Sequence, residues 1–598
     1  MHEEIKNYYH SRISQTQKAI MAAKKYIYSL GTIRLLIVIC TISMICVFSS
    51  QLIVQISAGV IGLSAFLYFL MHYNRQQKKK NYLEISLACD ENELKAFDYD
   101  FSAFDGAQER IKMAHPFGLD LDIFGDNSLF QAVNRTCTVY GKQVLADWFE
   151  KPLQEADEIS MRQESIRELR EKPEFMHHFR VMGLTHQGGD SILKEIEDFI
   201  AHPAYIRSIH SWKYLQWIFP FVSLTVVVLA FTGLISSFVM VICYLILLGI
   251  SESQAKKINR LQQWIGKKSQ VFISYSRLIA AVEQEKVVSP LLCKLQACFT
   301  KEKKAASVLI RQLAMLSGEL DQRSNLMVHL LFNPLLLWDI RKAIQVEQWK
   351  MTYGKSLDNW IKSLGEYDAF CVLGTFAFNH PEYIYPSLNK AYFELEIKGL
   401  GHPLIHRDTC VKNDVSIAKQ PYFLIITGAN MAGKSTYLRT IGVNFVLACI
   451  GAPVWADSMR FSPSGLITSL RTSDSLNDHE SYFFAELKRL KMIIDKLQAG
   501  EKLFIILDEI LKGTNSVDKQ KGSLALVQQF VRLQSCGIIA THDLHLGSLE
   551  KAFPENIRNY RFEADIKENE LHFSYQLREG VAQNMNATFL MKKMGITV

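Results

Sequence analysis

The run Gly428-Ala429-Asn430-Met431-Ala432-Gly433-Lys434-Ser435-Thr436 has the residue types and spacing of a phosphate-binding loop, GxxxxGKS. It follows an apolar, strand-like stretch, Phe423 to Thr427, and opens a helical one, Tyr437 to Cys449. The glycines let backbone N–H groups close around phosphate oxygens, and a helix start adds a favourable field. Lys434 is placed to reach the β/γ-phosphates and Ser435 to offer its hydroxyl to magnesium. A second strand-like run, Leu503 to Leu507, ends in Asp508 and Glu509. In that setting Asp508 holds the magnesium through water, and Glu509 orients or deprotonates an attacking water. A third, Gly537 to Ala540, is followed by Thr541, His542 and Asp543, which puts His542 where it can sense the γ-phosphate. The cofactors implied are ATP and Mg2+, and the chemistry is hydrolysis of ATP to ADP and phosphate.

The elements that must position these groups lie after Pro386, where short β-rich runs alternate with helical segments as in an α/β nucleotide-binding unit. Ahead of it, Ala103 to Ser211 and Lys256 to Glu366 are rich in helix formers with apolar residues at three and four spacing. Between and before these blocks lie two pairs of apolar runs, Leu35 to Ser49 with Leu52 to Met71, and Trp217 to Leu234 with Ile235 to Ile250. Charge-free runs this long read as four membrane spans in two helical hairpins. Lys18, Lys24, Lys25 and Arg34 precede the first pair, and Arg75, Lys78, Lys79 and Lys80 follow it. Arg207 and Lys213 precede the second, with Lys256, Lys257 and Arg260 after it. Positive residues stay on the cytoplasmic side, so the helical blocks and the α/β unit face the cytoplasm and the basic clusters serve as juxtamembrane anchors. A net charge of +7 on 598 residues is too small to select nucleic acid as a partner. The eleven cysteines show no CxxC pair or metal-ligand spacing and read as reduced and structural.

The loop resembles the GPNMGGKST signature of the MutS mismatch-repair family, with Ala429 in place of the proline and Ala432 in place of a glycine; Asn430-Met431 is the discriminating pair. Gly401-His402-Pro403-Leu404, Asn413-Asp414-Val415 and Asp508-Glu509-Ile510 followed by Gly513-Thr514-Asn515 are similar to that family in the same register. Ser481-Tyr482-Phe483-Phe484-Ala485-Glu486 resembles its STF..E signature, with Tyr482 in place of the threonine. The resemblance implies that Ser481 reaches across a homodimer to the partner's γ-phosphate. Leu121 to Leu153, including Asn127-Ser128-Leu129, Arg135-Thr136 and Gly141, looks like the helical core of the family, and Ile159 to Leu169 continues it.

The resemblance implies an α plus α/β chain, a helical core and lever region followed by an ABC-type P-loop α/β ATPase unit, to which the apolar runs add two transmembrane hairpins. The expected division is an N-terminal helical segment at 1–30, a hairpin at 31–75, core at 85–215, a hairpin at 216–250, core and lever at 251–390, and the ATPase unit at 391–598. No counterpart of the family's mismatch-reading domain is evident in the first hundred residues, so a membrane-anchored member lacking it is expected. The resemblance implies structured or mismatched DNA as a partner, bound without sequence readout. The rival expectation is a membrane scaffold or motor whose ATPase binds no nucleic acid.

Overall fold

The computed structural model describes residues 2–186, 189, 191–204, 212–325, 327–390, 392–428, 432–470, 482–512, 515–567 and 570–583. The chain opens with two antiparallel helices, α1 (His2–Val47) and α2 (Leu52–Phe97), each of 46 residues, joined by a turn at 48–51. Each is about 69 Å long at 1.5 Å per residue, roughly twice the length that crosses a bilayer. Their outer parts are apolar and bare, with Ile53 81% exposed. Gly62 lets the pair close, since a Cβ there would fall 2.2 Å from the Thr41 hydroxyl. The expected boundaries at 30/31 and between 75 and 85 fall inside these unbroken helices. The change from polar to apolar residues marks a change of surroundings, while the helical hydrogen-bond ladder continues through it.

The inner parts of α1 and α2 dock on the helical core through buried charge. Glu93 is 2% exposed and accepts from Arg135 Nε at 2.8 Å, Arg180 Nη1 at 2.5 Å and Asn379 Nδ2 at 2.9 Å. The Tyr9 hydroxyl donates to Asn379 Oδ1 at 2.8 Å, so both helices and the core share one network. Burial alone would raise the Glu93 carboxyl, but the two guanidiniums overcome it and hold it below its ordinary value. A second contact runs from Arg12 to Asp90 and Glu174. The spine of the core is the helix Trp338–Asn379, packed against Val139–Glu150, Ala156–Arg170, Pro290–Thr300 and Ala306–Asp321.

The second apolar pair forms the helices Trp212–Phe231 and Ser237–Glu252, joined at 232–236. Four spans were expected. Among the described residues, three helices are long and apolar enough to cross a membrane on their own: α1, α2 and the stretch Tyr214–Phe231. The fourth reaches that length only with Ala255–Ile265, from which it is bent by 53°.

The described residues of the remaining chain carry twelve strands: β1 (Ser387–Leu388), β2 (Leu395–Leu400), β3 (Asn413–Ile417), β4 (Tyr422–Gly428), β5 (Ser458–Phe461), β6 (Gly465–Ser469), β7 (Leu503–Asp508), β8 (Cys536–Thr541), β9 (Ile557–Phe562), β10 (Ala564–Lys567), β11 (Glu570–Phe573) and β12 (Arg578–Glu579). The main sheet has the order β12-β9-β4-β8-β7-β6 and is parallel except for β12. A four-stranded sheet, β1-β5-β2-β3, and the hairpin β10-β11 complete the unit. β4, β7 and β8 are apolar until their last residues and buried along their lengths because both faces of the parallel sheet are covered. The helix Lys434–Cys449 packs on β4, β7 and β8, and Phe445, Leu447 and Ala448 along it are buried.

Replacing Glu93 by Gln would leave two buried guanidiniums around a neutral amide, and the expected cost is about 3–5 kcal/mol. Denaturant unfolding of the purified chain and the variant measures it. Because the folded carboxyl is held below 4.5, its contribution is complete above that pH. The gap between parent and variant should therefore start to narrow as pH falls below about 4.5, and close once pH has dropped through the lower value at which the folded carboxyl protonates.

Candidate functional site

Register brings three strand ends level. Thr427 of β4 pairs with Thr541 of β8, and Asp508 of β7 pairs with Ala540 of β8, so Gly428, Asp508 and His542 meet at one edge of the sheet. β8 lies between β4 and β7 and spaces the loop after β4 from the carboxylates after β7. Gly428 and Gly433 have φ of 143° and 101°, open to glycine and strained for other residues. At Gly428 a Cβ would also lie 2.3 Å from the Phe562 carbonyl. Ala432 is buried. Ala429, Asn430 and Met431 lie outside the described residues, as does Ser481.

Lys434 opens its helix and is 2% exposed; its ammonium donates to the Gly428 carbonyl at 2.5 Å. Burial pushes its pKa down to about 8, while Asp508 and Glu509 pull the other way. Ser435 Oγ donates to Asp508 Oδ2 at 2.5 Å. A hydroxyl and a carboxylate oxygen in contact fit a magnesium site whose remaining ligands are phosphate and water. Among the described residues no cluster of three His, Cys, Asp or Glu side chains forms a metal site of its own. Glu509 has φ 54° and its N–H donates to the Ala540 carbonyl at 2.8 Å. Its Oε1 stands 2.6 Å from His542 Nε2, and Lys434 Nζ stands 3.4 Å from the same nitrogen. At 2.6 Å from a carboxylate, Nε2 carries the hydrogen, so Lys434 acts on the pair as a neighbouring charge. The hydrogen bond from His542 holds the Glu509 carboxyl down to about 2 against its burial.

Two further features were not assigned a part from sequence. Glu486, on the helix Tyr482–Gln498, is buried and accepts from the amides of Leu511 at 2.6 Å and Lys512 at 3.1 Å. It fastens the loop that follows Glu509, in which Leu511 also has a positive φ of 60°. The second is a cavity of about 290 Å³ beside Gly433 and Thr436, lined also by Leu400, His402, Tyr437 and Tyr575. Burial lowers the His402 pKa to about 4, so its ring is neutral, and its Nδ1 accepts from the Leu404 amide at 3.2 Å. Asn413 accepts from the Leu577 amide at 2.8 Å and donates to the Tyr575 carbonyl at 3.0 Å, which holds the Tyr575 side of the cavity. The signals were Gly401-His402-Pro403-Leu404 and Asn413-Asp414-Val415, but which side of the loop they would line depends on the packing of β2 and β3.

The family model of MutS domain V matches residues 424–595, and that of MutS domain III matches 118–215. The second match stops where the second apolar pair begins. The chain is similar to the DNA mismatch repair protein MutS of Thermotoga petrophila, at 30% identity over 228 residues, covering 38% of this chain and 28% of that protein. It is similar to the DNA mismatch repair protein msh3 of Aspergillus oryzae, 31% identical over 38% of this chain and 21% of that protein. With the human MutS protein homolog 4 it shares 30% identity over 32% of this chain and 21% of that protein. The matched region spans less than a third of the length of each relative.

Lys434 has a folded pKa of about 8 against an ordinary 10.5. Between those values the folded chain binds fewer protons than the unfolded one, so stability rises with pH there and the cost of the buried charge is fully felt below about pH 8. Lys434→Met removes that cost. Without nucleotide the variant should unfold later than the parent at pH 7, by at most roughly 3 kcal/mol, with the difference shrinking toward pH 10.5. Nucleotide should raise the parent's unfolding midpoint and leave the variant's unchanged.

Glu486→Gln gives a separate test for the reading of this edge as an ATP-hydrolysing site: with one amide bond to the loop lost, kcat should fall about tenfold with KM within about twofold of the parent. A rise in KM with kcat unchanged would mean that Glu486 serves nucleotide binding instead.

Proposed function

Starting from a chain that belongs to the MutS family, we propose that it is a membrane-anchored ATPase that hydrolyses ATP at a site completed by a second copy and couples the cycle to DNA. The observation that carries the ATPase reading is the convergence of Lys434, the Ser435–Asp508 pair and the Glu509–His542 pair at one edge of a parallel sheet. In this reading the loop from Gly428 to Thr436 cradles the phosphates. Lys434 neutralises their charge, and Ser435 and Asp508 hold magnesium, which polarises the γ-phosphoryl group when bound. The cavity at Tyr437 and Tyr575 takes the nucleoside. A carboxylate with a pKa near 2 is a weak base, so Glu509 orients the attacking water and becomes basic only when His542 releases it.

Membrane anchorage rests on the three long apolar helices, and their basic flanks support an orientation with the core and the 391–598 unit on the cytoplasmic side. DNA as partner rests on relatives named as DNA mismatch repair proteins. A second reading, a membrane motor that binds no nucleic acid, is favoured by one observation: α1 and α2 pass from apolar tip to core without a linker. A salt titration of binding to homoduplex, mismatched and branched DNA, with and without ATP, separates the two. DNA binding should weaken steeply with salt if phosphates are contacted.

For the site, Lys434→Ala should abolish nucleotide binding and turnover. Glu509→Gln should keep binding and lower turnover by at least about a hundredfold. Turnover per chain should also fall on dilution through a measured monomer–dimer transition, since Ser481 acts in trans. Constant activity through that transition would remove the shared site and leave Ser481 as an ordinary helix-start residue.

A further inference from the structure

Between Arg323 and Asp339 the sequence has no Asp, Glu, Lys or Arg and is built largely of Leu, Met, Val and Phe. It connects the helix Ala306–Asp321 to the spine Trp338–Asn379. It is too short to cross a bilayer, which takes about 20 residues. It forms a π-turn at Val328–Phe332 and a short helix Asn333–Leu336, and the short helix packs on both apolar helices Trp212–Phe231 and Ser237–Glu252. Met327, Leu330 and Phe332 point away from the protein, with 65%, 39% and 48% exposure.

We infer that this segment enters the bilayer as a re-entrant wedge beside the second apolar hairpin, so that the tip of the long core helices is itself embedded in lipid. The inference rests on the reading of Trp212–Phe231 as a membrane helix. Two features beyond hydrophobicity carry it. The first is the treatment of the backbone. Pro334 has no N–H to offer the Leu330 carbonyl, and the Leu335 carbonyl faces the helix end at Leu337, where φ is 47°. In water such groups are satisfied by solvent, whereas in hydrocarbon they need protein donors. The Tyr244 hydroxyl donates to Leu330 O at 2.7 Å and the Ser223 hydroxyl to Leu335 O at 2.5 Å, each from an apolar helix.

The second feature is the belt beneath. Arg341 lies 4.6 Å above the Trp217 ring and the Lys342 ammonium 4.8 Å from the Trp338 ring, while Arg323 Nε pairs with Asp339 at 2.7 Å. Trp with Arg and Lys is the composition of the headgroup level. Ser223 is six residues along its helix from Trp217, so the contacts with the wedge lie about 9 Å inward of that belt. That depth is within the hydrocarbon but short of the midplane of a core about 30 Å thick.

The test uses the full chain in phosphatidylcholine/phosphatidylglycerol vesicles, with an environment-sensitive fluorescent amino acid placed singly at Phe332, Met327, Val228 or Phe484. Val228 reports the apolar helix, and Phe484 is an exposed residue of the α/β unit. With nitroxide on the lipid acyl chains, quenching at Phe332 should come within about twofold of Val228 and exceed Phe484 at least about fivefold. Met327 supplies the same reading if the Phe332 variant fails to fold. Quenching at Val228 with none at Phe332 or Met327 would overturn the wedge alone. Absence of quenching at all three would overturn the membrane reading with it. Shielding of Phe332 and Met327 from both acyl-chain and water-soluble quenchers would mean that a second copy covers the segment, and would also overturn the proposal.

Discussion

The buried carboxylate of Glu93, held between Arg135 and Arg180, is the interaction on which the arrangement of this molecule depends. It belongs to α2, its guanidinium partners belong to the core, and through Asn379 and Tyr9 it reaches the end of the spine helix and α1. A pair of helices with bare apolar tips gains nothing from water at those tips, so its position against the core must be fixed at the other end. Hydrophobic contact there would be nondirectional. A carboxylate with three donors at 2.5–2.9 Å fixes angle and register. The same base continues to the α/β unit. His2 contacts Arg407, Arg407 pairs with Glu382 at 3.0 Å, and Tyr99 packs on His406 with ring centroids 5.0 Å apart. His402, in the same connection between β2 and β3, lines the cavity beside Gly433. The path from the apolar helices to the loop at Gly433 is thus continuous protein. Contiguity gives a route, and a coupling energy arises where the route has two arrangements.

The readable parts of the site were those whose chemistry is local. A strand, a glycine loop and a helix are adjacent in sequence, so Lys434 and Ser435 could be assigned places without knowing the fold. Asp508 and His542 were readable for the same reason, since each ends an apolar strand, and the sheet register sets them beside Lys434. Glu486 was visible only as a letter in a signature, because its partners are backbone amides 25 and 26 residues away. Amides leave no mark on a sequence. Glu93 looked like one more charged residue on a helix: what makes it structural is the company of Arg135 and Arg180, 42 and 87 residues on. The expected division at residue 30 falls inside α1 because composition reports surroundings, and a helical hydrogen-bond ladder continues through a change from polar to apolar residues.

Glu93 and Lys434 are both about 2% exposed, and the fold treats them in opposite ways. Around Glu93 the protein supplies enough opposite charge that the ionised form is favoured despite burial. Around Lys434 it does not: Asp508 and Glu509 are near, but burial still prevails and the ammonium is less favoured than in water. Glu509 could offset more of that charge, yet it is engaged by His542, and Asp508 is engaged by Ser435. The carboxylates nearest the lysine are therefore directed to other groups. A structural site closes its charge balance within the chain. In the proposed reading an incoming phosphate brings negative charge to the buried ammonium, and the energy of that contact is available to change the positions of Glu509, His542 and the loop fastened by Glu486.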